Sequence, residues 1–122
     1  MMNKKYYVIG LFFMCLSSLC FGEAAATHRV QQFQNSKVTV WKTIIYPTKQ
    51  QTIAMHRHDY DRVVVALTDG TLKVKNDKGK VHYLHLKKDQ AYYLKKDVPN
   101  ELHSDQNVSG HRIRVMVIEL KY

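Results

Sequence analysis

The stretch "MHRHDYDRVVVALTDGTL", from Met55 to Leu72, decides the fold and contains the best candidate site. His56 and His58 stand one residue apart, and after a polar turn the chain continues as five apolar residues, "VVVAL". In an extended strand, side chains two positions apart point to the same face, so the two imidazoles share a face. The run that follows is apolar on both faces, which is typical of a central strand covered on both sides. We therefore expect Val64 and Leu67 to be largely buried.

The chain from residue 37 to residue 122 reads as a succession of short strands. Runs such as "KVTVWKTIIY", "TLKVKN", "KVHYLHL" and "HRIRVMVIELKY" are rich in Val, Ile, Tyr and Thr, and turn-forming residues separate them. Asp69-Gly70 and Lys78-Gly79 predict hairpin turns. No segment has a sustained helical period. The pattern predicts one all-β domain, a barrel or jelly roll, over 37–122, preceded by a polar lead-in at 27–36.

The beginning of the chain has the composition of a secretory signal. Lys4 and Lys5 precede the apolar run "YYVIGLFFMCLSSLCFG", and the small residues "EAAAT" follow it. The pattern predicts a signal peptide over 1–26, cleaved after Ala26, with cleavage after Gly22 as the alternative. A membrane anchor fits less well because the apolar run is short and lacks a basic flank after it. We therefore expect an exported protein, periplasmic or extracellular.

The cysteines agree with this interpretation. Cys15 and Cys20 both lie in the predicted signal, so the mature domain has no cysteine and must be held together by its core. A lipid-attached cysteine is the alternative, and it is disfavoured because Leu19, which is not a small residue, precedes Cys20. A cysteine-free exported domain suits a bacterial envelope compartment.

The charge balance is basic. The chain carries 19 Lys and Arg against 10 Asp and Glu, and removal of Lys4, Lys5 and Glu23 leaves 17 against 9, a net charge of +8. A basic surface favours anionic partners such as an acidic glycan or a membrane surface. The lysines are scattered at turns and strand edges, however, where they also serve solubility. No nucleic-acid-binding motif is present, so we expect no nucleic-acid partner.

A second histidine motif completes the pattern. His103 lies in "DVPNELHSDQNVSG", with Asn107 four residues later. Together the two motifs resemble those of the cupin superfamily, with His56, His58 and Gly70 matching its first motif and His103 and Asn107 its second. The resemblance implies a double-stranded β-helix barrel with a divalent metal ion held by histidines in the barrel mouth. It also implies a homodimer formed through the N-terminal strands.

The chain departs from the cupin pattern at the acidic metal ligand. The position of that ligand falls on Arg62 or Val63, and the nearest carboxylate is Asp61. A shift of one residue turns a side chain to the other face of a strand, and a bulge could return Asp61 to the inside. In the second motif, Asn100 stands where the family has glycine, and Asn tolerates the left-handed backbone that this glycine supplies. We expect Asn107 to hold the turn through side-chain hydrogen bonds.

The sequence thus predicts the residues of a metal site and a general function. Neutral imidazoles bind iron, manganese, zinc and nickel, and a partial ligand set leaves positions open for water or substrate. We predict His56, His58 and His103 as metal ligands, with Asp61 as the acidic one. The predicted function is an exported small cupin that binds a divalent metal ion, with an oxidative or isomerising activity on a small envelope metabolite.

Two other functions fit the same residues. One is a non-catalytic, metal-free binding module for a small anionic ligand, a carboxylate or acidic sugar, in which Arg62 contacts the anion. The other is a structural envelope protein whose histidines bind nothing. The sequence contains no nucleophile–base pair and no phosphate-binding loop, so it identifies no catalytic residue apart from candidate metal ligands.

Overall fold

A computed structural model describes residues 26–122 of the chain. The described residues form a short 3-10 helix at Lys49–Gln51 and the strands β1 His28–Gln34, β2 Val38–Ile45, β3 Ile53–His56, β4 Arg62–Ala66, β5 Gly70–Asn76, β6 Val81–Leu86, β7 Ala91–Leu94, β8 His103–Asn107 and β9 Ile113–Leu120. The predicted signal peptide, apart from Ala26, lies outside the described residues. Between residues 26 and 122, no helix has the length and hydropathy needed to cross a membrane.

Two antiparallel sheets face each other. One sheet has the strand order β1-β2-β9-β4-β7, and the other has the order β3-β8-β5-β6. Successive strands often change sheet, as from β4 to β5 and from β7 to β8, and this connectivity closes the sheets into a barrel. The predicted all-β barrel of jelly-roll type is therefore confirmed.

The core lies between the two sheets and is built by alternation along each strand. In β4 the burial alternates from residue to residue, because successive side chains point to opposite faces. Both sheets contribute to the resulting apolar cluster, whose buried members are Ile45, Val64, Ala66, Leu72, Val74, Leu86, Ile113 and Val115. Burial of this apolar area is the main stabilising contribution to the fold.

The strand β4 occupies the predicted interior position. It pairs with β9 on one side and with β7 on the other, and Val64 is buried. Leu67 is less buried than Val64, because this residue follows the end of β4. Its backbone N–H donates to the carbonyl of Arg114 as the chain leaves the sheet.

Two local predictions also require correction. The polar lead-in predicted over 27–36 contains strand β1, which pairs with β2 despite the exposure of all its residues. Asp69-Gly70 does not form a hairpin turn, because β4 and β5 belong to different sheets. Lys78-Gly79 does join paired strands, β5 and β6, and Gly79 has the positive φ of 86° that such a turn requires.

Gly70 has a packing role instead. A Cβ atom at this position would lie 2.6 Å from Cδ1 of Ile113, a fully buried core residue. Any larger residue would therefore push Ile113 out of its place in the core. The glycine is required for close approach between the sheets.

Candidate metal centre

Strand pairing brings the three predicted histidines together. His56 ends β3 and lies directly opposite His103 of β8 in the antiparallel register, so the two side chains share a face. His58 lies two residues after His56. The ring centroids of these histidines are 4.8 Å apart for His56 and His58, 4.5 Å for His56 and His103, and 5.3 Å for His58 and His103. The predicted convergence is present in the structure.

Asp105 is the carboxylate of the cluster. It lies two residues after His103 on β8 and therefore on the same face. One ligand atom from each of His56, His58, His103 and Asp105 lies within 4.8 Å of those of the other three. We call these four residues the His/Asp cluster.

The distances within the His/Asp cluster suit one divalent ion. The Nε2 atoms of His56 and His58 are 3.1 Å apart, and Asp105 Oδ2 lies 3.4 Å from His56 Nε2 and 3.7 Å from His103 Nε2. Two ligand atoms about 2.0–2.1 Å from the same ion, at neighbouring coordination positions, lie roughly 3 Å apart. Two unprotonated nitrogens facing each other at 3.1 Å need a proton or a cation between them. The donor set therefore fits a metal ion.

The outward nitrogens of two histidines have acceptors. His56 Nδ1 lies 2.6 Å from the carbonyl oxygen of Ala54, and His103 Nδ1 lies 3.3 Å from Asp97 Oδ2. In these positions Nδ1 carries the proton and Nε2 keeps its lone pair toward the cluster. Asp97 also accepts a hydrogen bond from the backbone N–H of His58 at 2.6 Å. One carboxylate thus orients two of the candidate ligands.

Burial favours the neutral form of the His58 and His103 imidazoles. Burial, assisted by the positive charge of Arg62, lowers the pKa of His58 from 6.5 to about 3. Burial also lowers the pKa of His103, although Asp105 and Asp97 oppose the shift. The pKa of Asp105 is raised by burial, with the neighbouring positive charges opposing it. Neutral imidazoles are the form that binds a metal ion, and a cation would stabilise the buried carboxylate.

Asp61, the acidic ligand predicted from the sequence, is not part of the cluster. Its carboxylate accepts hydrogen bonds from the Tyr93 hydroxyl at 2.6 Å and from the Lys96 backbone N–H at 2.8 Å. No bulge interrupts the pairing of β4 with either neighbour, so Asp61 is not turned inward. Arg62 therefore points to the inside, and Val63 lies on the opposite face.

Asp105 was missed by the sequence interpretation, although a signal for it existed. His103-x-Asp105 repeats the period of two that joined His56 and His58. The spacing of the first motif points only to positions 61–63 for the acidic ligand, and the pairing of β3 with β8 cannot be read from either motif. Register between distant strands decides which carboxylate reaches the cluster.

The second motif supports the site, as predicted. Asn107 is 1% exposed, and its side-chain amide donates to the carbonyls of Ile45 and His111, each at 2.8 Å. Its side-chain oxygen accepts from the Ser109 backbone N–H at 2.8 Å. Asn100 has a φ of 65°, the left-handed conformation for which the family uses glycine.

A cavity of about 420 Å³ adjoins the His/Asp cluster inside the barrel. His56, His58 and Asp105 line it together with Arg62. Most of its wall is apolar and consists of Ile45, Ile53, Val64, Leu72, Leu84, Leu86, Leu94, Val115 and Val117. Its volume is in the range of small-molecule sites.

Arg62 is buried at this cavity with few direct hydrogen-bond partners among residues 26–122. Its side chain is 8% exposed, and its Nη1 donates to the Lys95 carbonyl at 3.3 Å. Within residues 26–122, none of the ion pairs includes Arg62. The sequence interpretation placed Arg62 in contact with an anion, and the structure does place it beside the histidines.

One curated relative is similar over most of the chain. The β-alanine degradation protein BauB of Pseudomonas aeruginosa is 36% identical over 90 residues, which cover 74% of this chain and 88% of that protein. No family model matches the chain.

Several solved structures share the fold. A cupin domain from Bordetella pertussis has a TM-score of 0.67 at 24% identity, over 82% of this chain and 98% of that one. An RmlC-like cupin family protein from Methanocaldococcus jannaschii has a TM-score of 0.59 at 11% identity, covering 80% and 83%. The polyketide cyclase RemF from Streptomyces resistomycificus has a TM-score of 0.56 at 14% identity, covering 81% and 68%. These structures confirm the double-stranded β-helix fold of the cupins.

Proposed function

The chain is a cupin and belongs to the same family as the β-alanine degradation protein BauB, and from this premise we propose that it binds a divalent metal ion and acts on a small metabolite. The observation that carries the proposal is the His/Asp cluster, with four ligand atoms within 4.8 Å of one another at the edge of a cavity inside the barrel. Iron, manganese, zinc and nickel all accept such a ligand set.

The chemistry is oxidative or isomerising. A divalent ion in the cluster supplies a Lewis acid and, if redox-active, an electron acceptor or donor. The protein supplies the ligands, a largely apolar cavity wall and the orientation of the histidines by Asp97 and the Ala54 carbonyl. The name of BauB refers to degradation of a small amino acid, which supports a metabolite as the substrate and not a macromolecule.

The site of action in this proposal is the cell envelope. The argument is the Lys-flanked apolar run that ends in "EAAAT" at Thr27. Mass spectrometry of the protein recovered from the envelope fraction should find a chain that starts near Thr27. An intact Met1 end would contradict export.

The metal is tested by direct analysis of the purified protein. Titration with Zn²⁺, Mn²⁺, Fe²⁺ and Ni²⁺ should saturate at one ion per chain for at least one of them. The double variant His56→Ala, His58→Ala should bind no ion and remain folded by circular dichroism. A matched control is His82→Ala, His85→Ala, which removes two exposed histidines of β6. Equal metal binding by the two double variants, or none by the wild type, would contradict the proposal.

A further inference from the structure

We propose that Arg62 binds the carboxylate group of the substrate, so that the cavity selects small monocarboxylic acids with an apolar body. The inference rests on the proposed function, since it names the substrate class of the same site. Arg62 is a buried cation with few hydrogen-bond partners among the described residues. A buried guanidinium has five N–H donors, and leaving most of them unpaired is costly.

The nearby carboxylates have other partners. Asp97 accepts from the His58 backbone N–H and faces His103 Nδ1. Glu119 accepts from Trp41 Nε1 at 3.1 Å. Asp105 belongs to the His/Asp cluster. The negative charge of each of these groups lowers the electrostatic cost of burying Arg62, although none of them forms an ion pair with it. The guanidinium therefore has N–H donors available for a ligand.

The other arginines of the cavity are already engaged. The Arg29 guanidinium lies 3.8 Å from the centre of the Trp41 ring, and Arg57 forms an ion pair with Asp59 at 2.7 Å. A divalent ion in the cluster would add further positive charge beside Arg62. The electrostatics therefore favour an anionic ligand, and Arg62 is the arginine that lies with the histidines in the interior.

The class of anion follows from the guanidinium of Arg62 and from the residues that line the rest of the cavity. A single planar guanidinium matches a carboxylate in a bidentate pair, and its one positive charge balances the one negative charge of a carboxylate. Nine of the remaining lining residues are aliphatic, against Arg29, Trp41, Thr43, Arg57 and Glu119, so the body of the ligand should be mainly apolar. A short aliphatic carboxylate satisfies both requirements.

The test compares an acid with an amide of the same shape. Isothermal titration of the purified, Zn²⁺-loaded protein with isovalerate and isovaleramide should show a preference for the acid of roughly tenfold or more, since the amide cannot form a charged bidentate pair. Arg62→Met should remove this preference, and Arg62→Lys should reduce it. Arg112→Met, which changes an exposed arginine outside the cavity, should leave it unchanged. Thermal unfolding checks that each variant is folded.

The outcomes separate this inference from the metal proposal. No measurable binding of isovalerate, equal binding of acid and amide, or a preference that persists in Arg62→Met would each overturn the role of Arg62, even if the protein binds metal. A preference that depends on Arg62 in a protein that takes up no metal ion would support the carboxylate site and overturn the metal proposal. That result would leave a metal-free binding module for small carboxylates.

Discussion

Asn107 and Arg62 are both buried polar side chains, and they differ in how well their hydrogen-bonding groups are satisfied. Asn107 makes three hydrogen bonds of 2.8 Å, to Ile45, His111 and Ser109. Among the described residues, Arg62 makes one, at 3.3 Å, to the Lys95 carbonyl. Satisfied polar groups stabilise a fold, whereas a buried cation with unpaired donors lowers stability.

The two residues lie in different parts of the barrel. Asn107 belongs to the region where Ala66 and Ile113 are fully buried, close to Gly70. Arg62 lies four residues before Ala66 on the same face of β4. Its side chain, however, lies beside His56 and His58 at the cavity. One strand therefore connects a tightly packed region with the region that we propose binds the ligand. Substitutions in the first should change stability, and substitutions in the second should change affinity.

The largest effect is expected from Asn107→Ala. The change leaves two carbonyls and one N–H without their partners in a buried setting, and each loss costs about 1–3 kcal/mol. We expect the free energy of unfolding to fall by about 3 kcal/mol or more, measured by urea denaturation. Metal affinity per folded molecule should be unchanged. A loss below about 1 kcal/mol would contradict the assignment of Asn107 to the stabilising region.

A smaller effect, on affinity, is expected from Asp97→Asn. The variant removes the charge that orients the His103 ring, while the shape of the side chain is kept. Loss of such an outer partner typically weakens metal binding about 10–100-fold. Competition titration against a chelator measures the change, with Asp89→Asn, an exposed loop residue, as the control. Unchanged affinity in Asp97→Asn would show that His103 needs no orienting carboxylate.

The smallest effect is a pH dependence of stability in the metal-free protein. The unfolded chain protonates His58 near pH 6.5, whereas the folded chain keeps it neutral until about pH 3. Below pH 6.5 the unfolded state therefore binds the extra proton, and the free energy of unfolding falls as the pH falls. Allowing for partial exposure, we expect about 1 kcal/mol between pH 7 and pH 5.

This dependence is measured by denaturation at several pH values. His58→Gln should flatten the curve between pH 7 and pH 5, and His82→Gln, at an exposed position, should leave it unchanged. Saturation with metal should steepen it, because protons then compete with the ion for the same nitrogens. The same slope in His58→Gln and in the wild type would show that His58 is protonated as easily in the folded chain as in the unfolded one.

Local patterns in the sequence determined the fold class and part of the site. Alternation of apolar residues and turn chemistry predicted the all-β barrel, because side chains in a strand alternate between faces whatever the partner strand is. The same rule placed His56 and His58 on one face. The spacing of His103 and Asn107 gave the second motif, and its resemblance to cupins implied that the two motifs meet.

The tertiary structure alone decided the acidic residue of the cluster, the direction of Arg62 and the role of Gly70. Asp105 reaches the cluster because β3 pairs with β8 so that His56 lies opposite His103, with a register shift between Ile53 and His56. The pairing of strands about 50 residues apart depends on long-range packing that no local pattern encodes. Arg62 points inward because β4 pairs without a bulge, which leaves Asp61 outside. Gly70 is required by the close approach of Ile113 from a strand of the opposite sheet. Contacts between elements far apart in the chain thus determine which side chains form the site.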